Sequence, residues 1–345
     1  MKELLRELVE TPGVSGNEHR IRDLIREKAE EHADDIEVDN FGNLIARKSD
    51  GDQTLMVATH MDQIGLTVKH IDDNGFLRFS KVGGVTTQSL MNQRVTIHTS
   101  EGDVKGVIGM KPPHLMDKEE RDKLPEKDQL FIDIGAEDRE AVEEAGVGVG
   151  DFITFEREMD ELQEDFVTGM AMDNRVGCLL GIEALKRFDE DYELAVVFST
   201  QEEVGLKGAK TAAYSVDPDV ALAVDTSIAG DVPGIEDQES GLSTGDGVEI
   251  TLVQSEGRGL ITPETVKNWL VDTAEDNDHD HYPGVWEGGA TDAAKIYLVR
   301  QGIPTGSLGI PTRHIHSSTE MVKMSDIEAT ADYLEDAFST MEDYF

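Results

Sequence analysis

Glu202 and Glu203 stand side by side just after the apolar run Leu194-Ala195-Val196-Val197-Phe198. That run reads as a buried strand. Charge in a low-dielectric site is strongly disfavoured unless it is hydrated, paired or bound to a cation. A metal ion together with a general base gives both acids a role. Other apolar segments end on residues of the right type. Leu55-Met56-Val57-Ala58-Thr59 runs into His60-Met61-Asp62, Phe166-Val167-Thr168 into Asp173, and Val220-Ala221-Leu222-Ala223-Val224 into Asp225. Ser307-Leu308-Gly309-Ile310 leads to His314-Ile315-His316. Open α/β sheets place ligands outside the carboxyl ends of their strands. Imidazoles and carboxylates gathered at one such rim suit zinc or a neighbouring divalent metal.

Each of these residues also has a purely structural reading. Asp173, before Asn174-Arg175-Val176, fits a helix N-cap favoured by the helix dipole. His60 fits a satisfied core histidine, with Asp62 on the same face of an extended strand as its partner. The same bond would orient a ligating imidazole. Asp225 fits a turn cap through Thr226-Ser227. Their coincidence at successive strand exits is what points to a metal site. His314 and His316 face the same way if extended, so spacing does not choose between them. Asp278-His279-Asp280-His281 has few apolar anchors and reads as a solvated loop. The glycines from Gly146 to Gly150 precede a strand, not a helix, and read as a turn. Gly288-Gly289-Ala290-Thr291-Asp292 reads as a loop and helix N-cap, with the glycines able to line a cleft.

The elements that must position these groups alternate between helix and strand at both ends of the chain. Amphipathic helices are expected around Leu4–Val9 and Ile21–Ala29, with strands near Ile36–Val38, Asn43–Ala46 and Leu55–Thr59. From Ile64 to Phe166 short alternating segments and turn dipeptides take over. They are interrupted by one helix from Asp138 to Ala145 and by the charged stretch Asp117 to Asp128, read as a solvated loop or short helix. Alternation resumes with helices Asn174–Phe188, Lys207–Tyr214, Pro263–Thr273 and Ala290–Val299. Strands are expected at Leu194–Phe198, Val220–Val224, Val248–Val253 and Gly306–Ile310. The last helix runs from Ser325, as N-cap, to Met341, with Ile327, Ala331, Leu334 and Phe338 facing inwards. The chain of 345 residues exceeds what one compact core usually holds. The reading is an α/β catalytic domain of residues 1–65 and 167–345, interrupted by a β-rich domain of residues 66–166.

At this point a family resemblance is visible. Ala58-Thr59-His60-Met61-Asp62-Gln63-Ile64-Gly65, Met172-Asp173-Asn174-Arg175, Gln201-Glu202-Glu203-Val204-Gly205-Leu206-Lys207-Gly208-Ala209, Val224-Asp225 and Ile310-Pro311-Thr312-Arg313-His314-Ile315-His316-Ser317 together resemble the TET-type dinuclear metallo-aminopeptidases. That family is also labelled glutamyl aminopeptidase or endoglucanase. The resemblance spans essentially the whole chain. It implies a mixed-sheet, three-layer α/β catalytic domain of the zinc-aminopeptidase type, with an inserted PDZ-like barrel that serves dimerisation. It implies two divalent metal ions per subunit, zinc first and cobalt as the alternative. His60 and Asp225 would hold one and Glu203 and His316 the other, with Asp173 bridging. Glu202 would be the general base acting on a metal-bridged water, and Asp62 would orient His60. The implied reaction is release of N-terminal residues from short peptides, and the implied assembly a dodecamer built from dimers. Ser243-Thr244-Gly245-Asp246-Gly247 departs from the Gly-Pro-containing segment expected of the family, so substrate preference is not carried over. Two rivals fit less well. A dinuclear carboxypeptidase or N-acyl amino-acid deacylase has its extra domain after the fourth ligand-bearing strand, not before Asp173. A glycosidase needs its two carboxylates ~5–9 Å apart on opposite sides of the bond, which adjacent residues do not readily provide.

Composition narrows the setting. Asp and Glu number 72 against 31 Lys and Arg, a formal net charge of −41 spread from Glu3 to Asp343. Such a surface repels nucleic acid and anionic membrane and excludes both as partners. One cysteine, Cys178, allows no intrachain disulfide, and its apolar surroundings make it a packed core residue. The N-terminus carries acids where a signal peptide needs an apolar core, and no stretch approaches the ~20 apolar residues of a membrane span. The expectation is a soluble protein of a salt-rich, halophilic cytoplasm. Self-repulsion at this charge destabilises the fold until salt screens it. The melting temperature should therefore rise steeply between about 0.1 M and about 2 M KCl, where the screening length falls from about 10 Å to below about 3 Å. A melting temperature independent of KCl would remove the halophilic reading.

Overall fold

A computed structural model describes residues 1–156 and 158–345. Among the described residues eleven strands form one mixed sheet and six close into a barrel. Across the large sheet the strands lie in the order Asp35–Val38, Leu44–Lys48, Glu193–Ser199, Thr54–His60, Val220–Ile228, Thr305–Arg313, Glu320–Lys323, Phe166–Gly169 and Asp160–Glu161. The central run from Glu193–Ser199 to Thr305–Arg313 is parallel. The flanking pairs are antiparallel. Val248–Val253 branches from Thr305–Arg313, and His281–Val285 pairs with it in turn.

Parallel strands covered on both faces read as continuous apolar runs, and that is what made these four legible. Leu55 and Val57 face a core shared with helices Lys2–Glu10, His19–Ala29, Met172–Arg187, Glu264–Asp276 and Met324–Thr340. Met56, Ala58, Ala195 and Val197 face the other way, onto Ala209, Ala212 and Ala213 of helix Gly208–Val216 and Ile296 of helix Ala293–Ile296. The result is a helix–sheet–helix sandwich. Helix Met172–Arg187 is buried along almost its whole length. Beyond the buried polar Asp173, Asn174 and Arg175 it is apolar on most sides as far as Leu185, as such burial requires, which explains its weak amphipathicity.

The barrel closes in the order Gly65–Ile71, Leu77–Val82, Phe131–Asp133, Gly102–Gly109, Arg94–Thr99 and Phe152–Phe155. Leu66, Val68, Leu77, Phe79, Val95, Ile97, Ile108, Ile132 and Ile153 fill it, the inward half of each alternating strand. Asp138 caps helix Arg139–Glu144 by accepting from the Ala141 N–H. The charged stretch contains a short helix, Lys118–Arg121, closed by a capping box between Asp117 and Glu120. Arg20 of the second helix donates to Asp103 of the barrel at 3.0 Å and ties the two units together.

Some element ends differ from expectation. The last helix begins at Met324, and Ser325 is not its cap. Strand Glu320–Lys323 passes straight into that helix, and Asp326 in its first turn accepts the N–H of Gly245 instead. The helix expected over Ala290–Val299 is only Ala293–Ile296, and Asp292 provides no side-chain cap. The strand His281–Val285 contains Pro283 at the edge of the sheet, where a missing donor is tolerated. Among the described residues no helix is long and apolar enough to cross a membrane. Phe198 sits fully buried one residue before the end of a site-bearing strand. Phe198→Ala should cost about 3–5 kcal/mol of unfolding free energy, read by denaturant titration in high salt. A cost under about 1 kcal/mol would show that the core is not packed around this ring.

Candidate metal centre

The central strands end at a common rim. His60 is the last residue of Thr54–His60 and Asp225 lies within Val220–Ile228. Glu202 and Glu203 follow Glu193–Ser199, His316 follows Thr305–Arg313, and Asp173 opens the buried helix Met172–Arg187. The structure brings these residues together as two trios, His60–Glu202–Asp225 and Asp173–Glu203–His316, each with one donor atom per residue within 4.8 Å of the others. Asp173 lies between them. Its Oδ1 is 3.1 Å from His60 Nε2 and its Oδ2 is 3.4 Å from His316 Nε2. His60 Nε2 is also 3.6 Å from Asp225 Oδ1 and 4.0 Å from Glu202 Oε2, and His316 Nε2 is 3.5 Å from Glu203 Oε2. Beyond Arg313 the chain is no longer extended, and His314 and His316 both have φ of 60°. Among the described residues His316 joins a trio and His314 does not.

Asp62 is placed differently from the simplest expectation. Its main-chain carbonyl, not its carboxylate, meets His60 Nδ1 at 3.1 Å. The carboxylate stands 3.6 Å from that nitrogen, too far for a good hydrogen bond. Instead it accepts the Ser15 hydroxyl at 2.6 Å and the N–H groups of Glu202 at 2.9 Å and Glu203 at 3.2 Å. Asp62 thus holds the turn that carries both glutamates and, through its backbone, turns His60 Nε2 towards the carboxylates.

The electrostatics are those of acids deprived of water. Burial holds Glu202 and Asp225 above the usual carboxylate range and pushes Glu203 up to about 8. Burial alone would raise Asp173 too, but the imidazoles of His316 and His60 hold it well below that range. The Asp173 carboxylate lifts His316 to about 9. Burial works against a charged His60, and Glu202 and Asp225 overcome it. Among the described residues no Lys or Arg lines the surrounding cavity. Nitrogen and oxygen donors, closely spaced and short of positive charge, fit divalent metal ions. A His whose second nitrogen is fixed by a carbonyl is the usual support for such a ligand.

The profile of the M42 glutamyl aminopeptidases matches residues 42–333. The chain belongs to the M42 family. It is a metal-dependent aminopeptidase, similar to a lysyl aminopeptidase of Pyrococcus furiosus at 33% identity over 95% of this chain and 94% of that one. In structure it resembles a TET aminopeptidase of a marine-sediment thaumarchaeon, with TM-score 0.95 and 34% identity over 100% and 98% of the two chains. It also resembles the TET1 peptidase of Pyrococcus horikoshii, with TM-score 0.88 and 33% identity over 97% and 98%. The profile is described as glutamyl and one relative as lysyl, so membership leaves the side-chain preference of this aminopeptidase open.

Several residues of the aminopeptidase site escape sequence reasoning. Glu320, buried, accepts the N–H of Asp173 at 3.0 Å and of His316 at 2.8 Å, so one carboxylate fixes two segments that carry trio residues. Asp292 turns from its helix to accept the Ser199 hydroxyl at 2.5 Å. Cys178 is core, its Sγ 3.2 Å from the His60 carbonyl oxygen. His279 contacts Asp336 at 2.7 Å and His281 begins an edge strand, both outside the trios. Gly288 and Gly289 line the cavity. Glu320 had one faint signal, an acid four residues beyond a candidate ligand.

A metal ion at the Asp173–Glu203–His316 trio needs a neutral imidazole and an ionised Glu203. His316 keeps its proton up to about 9 and Glu203 up to about 8, so affinity should fall as pH drops below about 9. Loading at pH 7 should release protons, seen by calorimetry in buffers of different ionisation enthalpy. Loading without proton release at pH 7 would contradict these assignments.

Proposed function

We propose that two divalent cations, zinc with cobalt as the alternative, complete this centre. His60 and Asp225 hold one, Glu203 and His316 the other, and Asp173 reaches both. The observation that carries this reading is the pair of Asp173 oxygens, one facing each imidazole. When bound, the cations supply a water of lowered pKa and polarise the scissile carbonyl. Glu202, desolvated and held by its N–H to Asp62, takes a proton from the attacking water. It then passes that proton to the leaving amine. Asp62 keeps Glu202, Glu203 and His60 in register. The negative rim draws in the free α-ammonium of a short peptide.

A second reading has its own observation: Glu202 lies in the first trio and so has the position of a ligand. The two readings part in one variant. Glu202→Gln should lower kcat by about a hundredfold or more while both metal equivalents stay bound, measured by anilide hydrolysis and elemental analysis. Loss of one metal equivalent would make Glu202 a ligand, and an active variant would end both roles.

The barrel and its connections, residues 66–166, are proposed as the unit through which copies pair, and the paired copies as building blocks of a hollow dodecamer. The support is likeness to the Pyrococcus horikoshii peptidase, which assembles into a tetrahedron or a large octahedral shell. The acidic surface supports a salt-rich cytoplasm as the setting. Light scattering in high salt should give the mass of twelve chains of 37.9 kDa each. A monomer or isolated dimer under those conditions would rule the assembly out.

A further inference from the structure

The cavity at the metal centre encloses about 470 Å³ and continues past the trios to a buried wall. Ser227, Glu249, Thr251, Gln254 and Ser307 form that wall and are all buried. The cavity is open where its lining is exposed, at Ile228, Gly288 and Gly289. A peptide held by its amine and first carbonyl has two groups left to place. The chain beyond the scissile bond has no fixed length and needs the open side. The first side chain, of bounded size, is the group for the closed side.

Glu249 is the unusual member of the wall. It is fully buried in strand Val248–Val253, between Val248 and Ile250. Its Oε2 accepts the hydroxyls of Ser227 at 3.0 Å and Thr251 at 2.8 Å, and its Oε1 accepts Trp286 Nε1 at 3.1 Å. All three donors are neutral. Glu249 makes no ion pair among the described residues, and no Lys or Arg among them lines the cavity. The backbone is shaped for this carboxylate. A Cβ at Gly284 would stand 1.7 Å from Glu249 Oε1, and one at Gly309 2.6 Å from Oε2.

We propose that Glu249 is a specificity-determining residue that turns this cavity towards basic N-terminal side chains, Lys and Arg, and against acidic ones. The inference rests on the aminopeptidase reading of the centre. Burial lifts the Glu249 carboxyl to about 7, so above that pH it is ionised. A substrate side-chain carboxylate would then meet a like charge across one layer of hydroxyls, with no Lys or Arg among the described lining residues to answer it. An ammonium or guanidinium meets an unpaired opposite charge instead. Such a pair is screened much less by salt than a surface pair.

The test is kcat/KM at pH 8 for the p-nitroanilides of Lys, Arg, Leu, Gln and Glu, with the wild type and Glu249→Gln, both metal-loaded. Gln keeps the shape, an acceptor for Trp286, and an amide that Ser227 and Thr251 can accept from. The wild type should prefer Lys to Glu by well over tenfold, and Glu249→Gln should shrink that ratio by about tenfold. Metal content and melting temperature report whether the variant is folded and loaded. A wild type that cleaves the Glu anilide as well as the Lys anilide overturns the proposal, and this result needs no variant. An unchanged ratio in a folded, loaded Glu249→Gln overturns it too. Hydrolysis of the Leu anilide with a flat Lys-to-Glu ratio sinks this inference alone. No hydrolysis of any anilide sinks the aminopeptidase reading beneath it.

Discussion

Carboxylates crowded out of water are the condition around which this molecule is built. Asp62, Asp173, Glu202, Asp225 and Glu320 are all buried within one rim, with two imidazoles and, among the described residues, no lysine or arginine in the cavity beside them. Each acid taken from water loses hydration that only hydrogen bonds, counter-charge or a metal can replace. Part of the replacement is built into the backbone. Asp62 takes the N–H groups of Glu202 and Glu203, and Glu320 takes those of Asp173 and His316. These bonds make the acids mutually dependent, because the carboxylate of one residue holds the main chain of the next. The remaining shortage of positive charge is what divalent ions answer.

The same sign of charge plays a different part on the outside. The surface acids stand in water, where their interactions are weak individually and screened by salt. Their sum bears on solubility and on the choice of partners, not on the fold. The site acids gain strength from the low dielectric that makes them costly. An excess of acids in the composition therefore could not have located the centre; position at the ends of buried strands could.

That difference explains which parts were readable. The parallel strands were legible because burial on both faces demands uninterrupted apolar runs, and their exits then marked His60, Glu202, Glu203 and Asp225. The choice of His316 over His314 came from family likeness, since both follow the same strand and only the turn beyond Arg313 separates them. Tertiary partners were not legible. Asp292 acts on Ser199, far away in sequence, and Glu320 joins nearby His316 to distant Asp173, with its place four residues beyond His316 as the one local sign. The Asp62 carboxylate was read against His60 alone, two residues before it, whereas it also takes Ser15, from the N-terminal loop, and the glutamate turn. Strand His281–Val285 was hidden by its proline, a residue that excludes a central strand but not an edge.

The roles proposed for Glu202 and Glu249 put one physical state to two purposes. Both are desolvated glutamates whose carboxyls burial has raised. Glu202 has its backbone anchored while its carboxylate faces the trio and keeps lone pairs for a proton in transit. The Glu249 carboxylate is itself anchored, by two hydroxyls and an indole, and hardly free to exchange anything. What Glu249 retains is a field, felt by whatever charge enters beside it. The proposed base and the proposed selector are thus set apart not by residue type or burial but by whether the hydrogen bonds fall on the backbone or on the carboxylate. Gly284 and Gly309 sustain that division, since a side chain at either would occupy the space that keeps Glu249 fixed behind the wall.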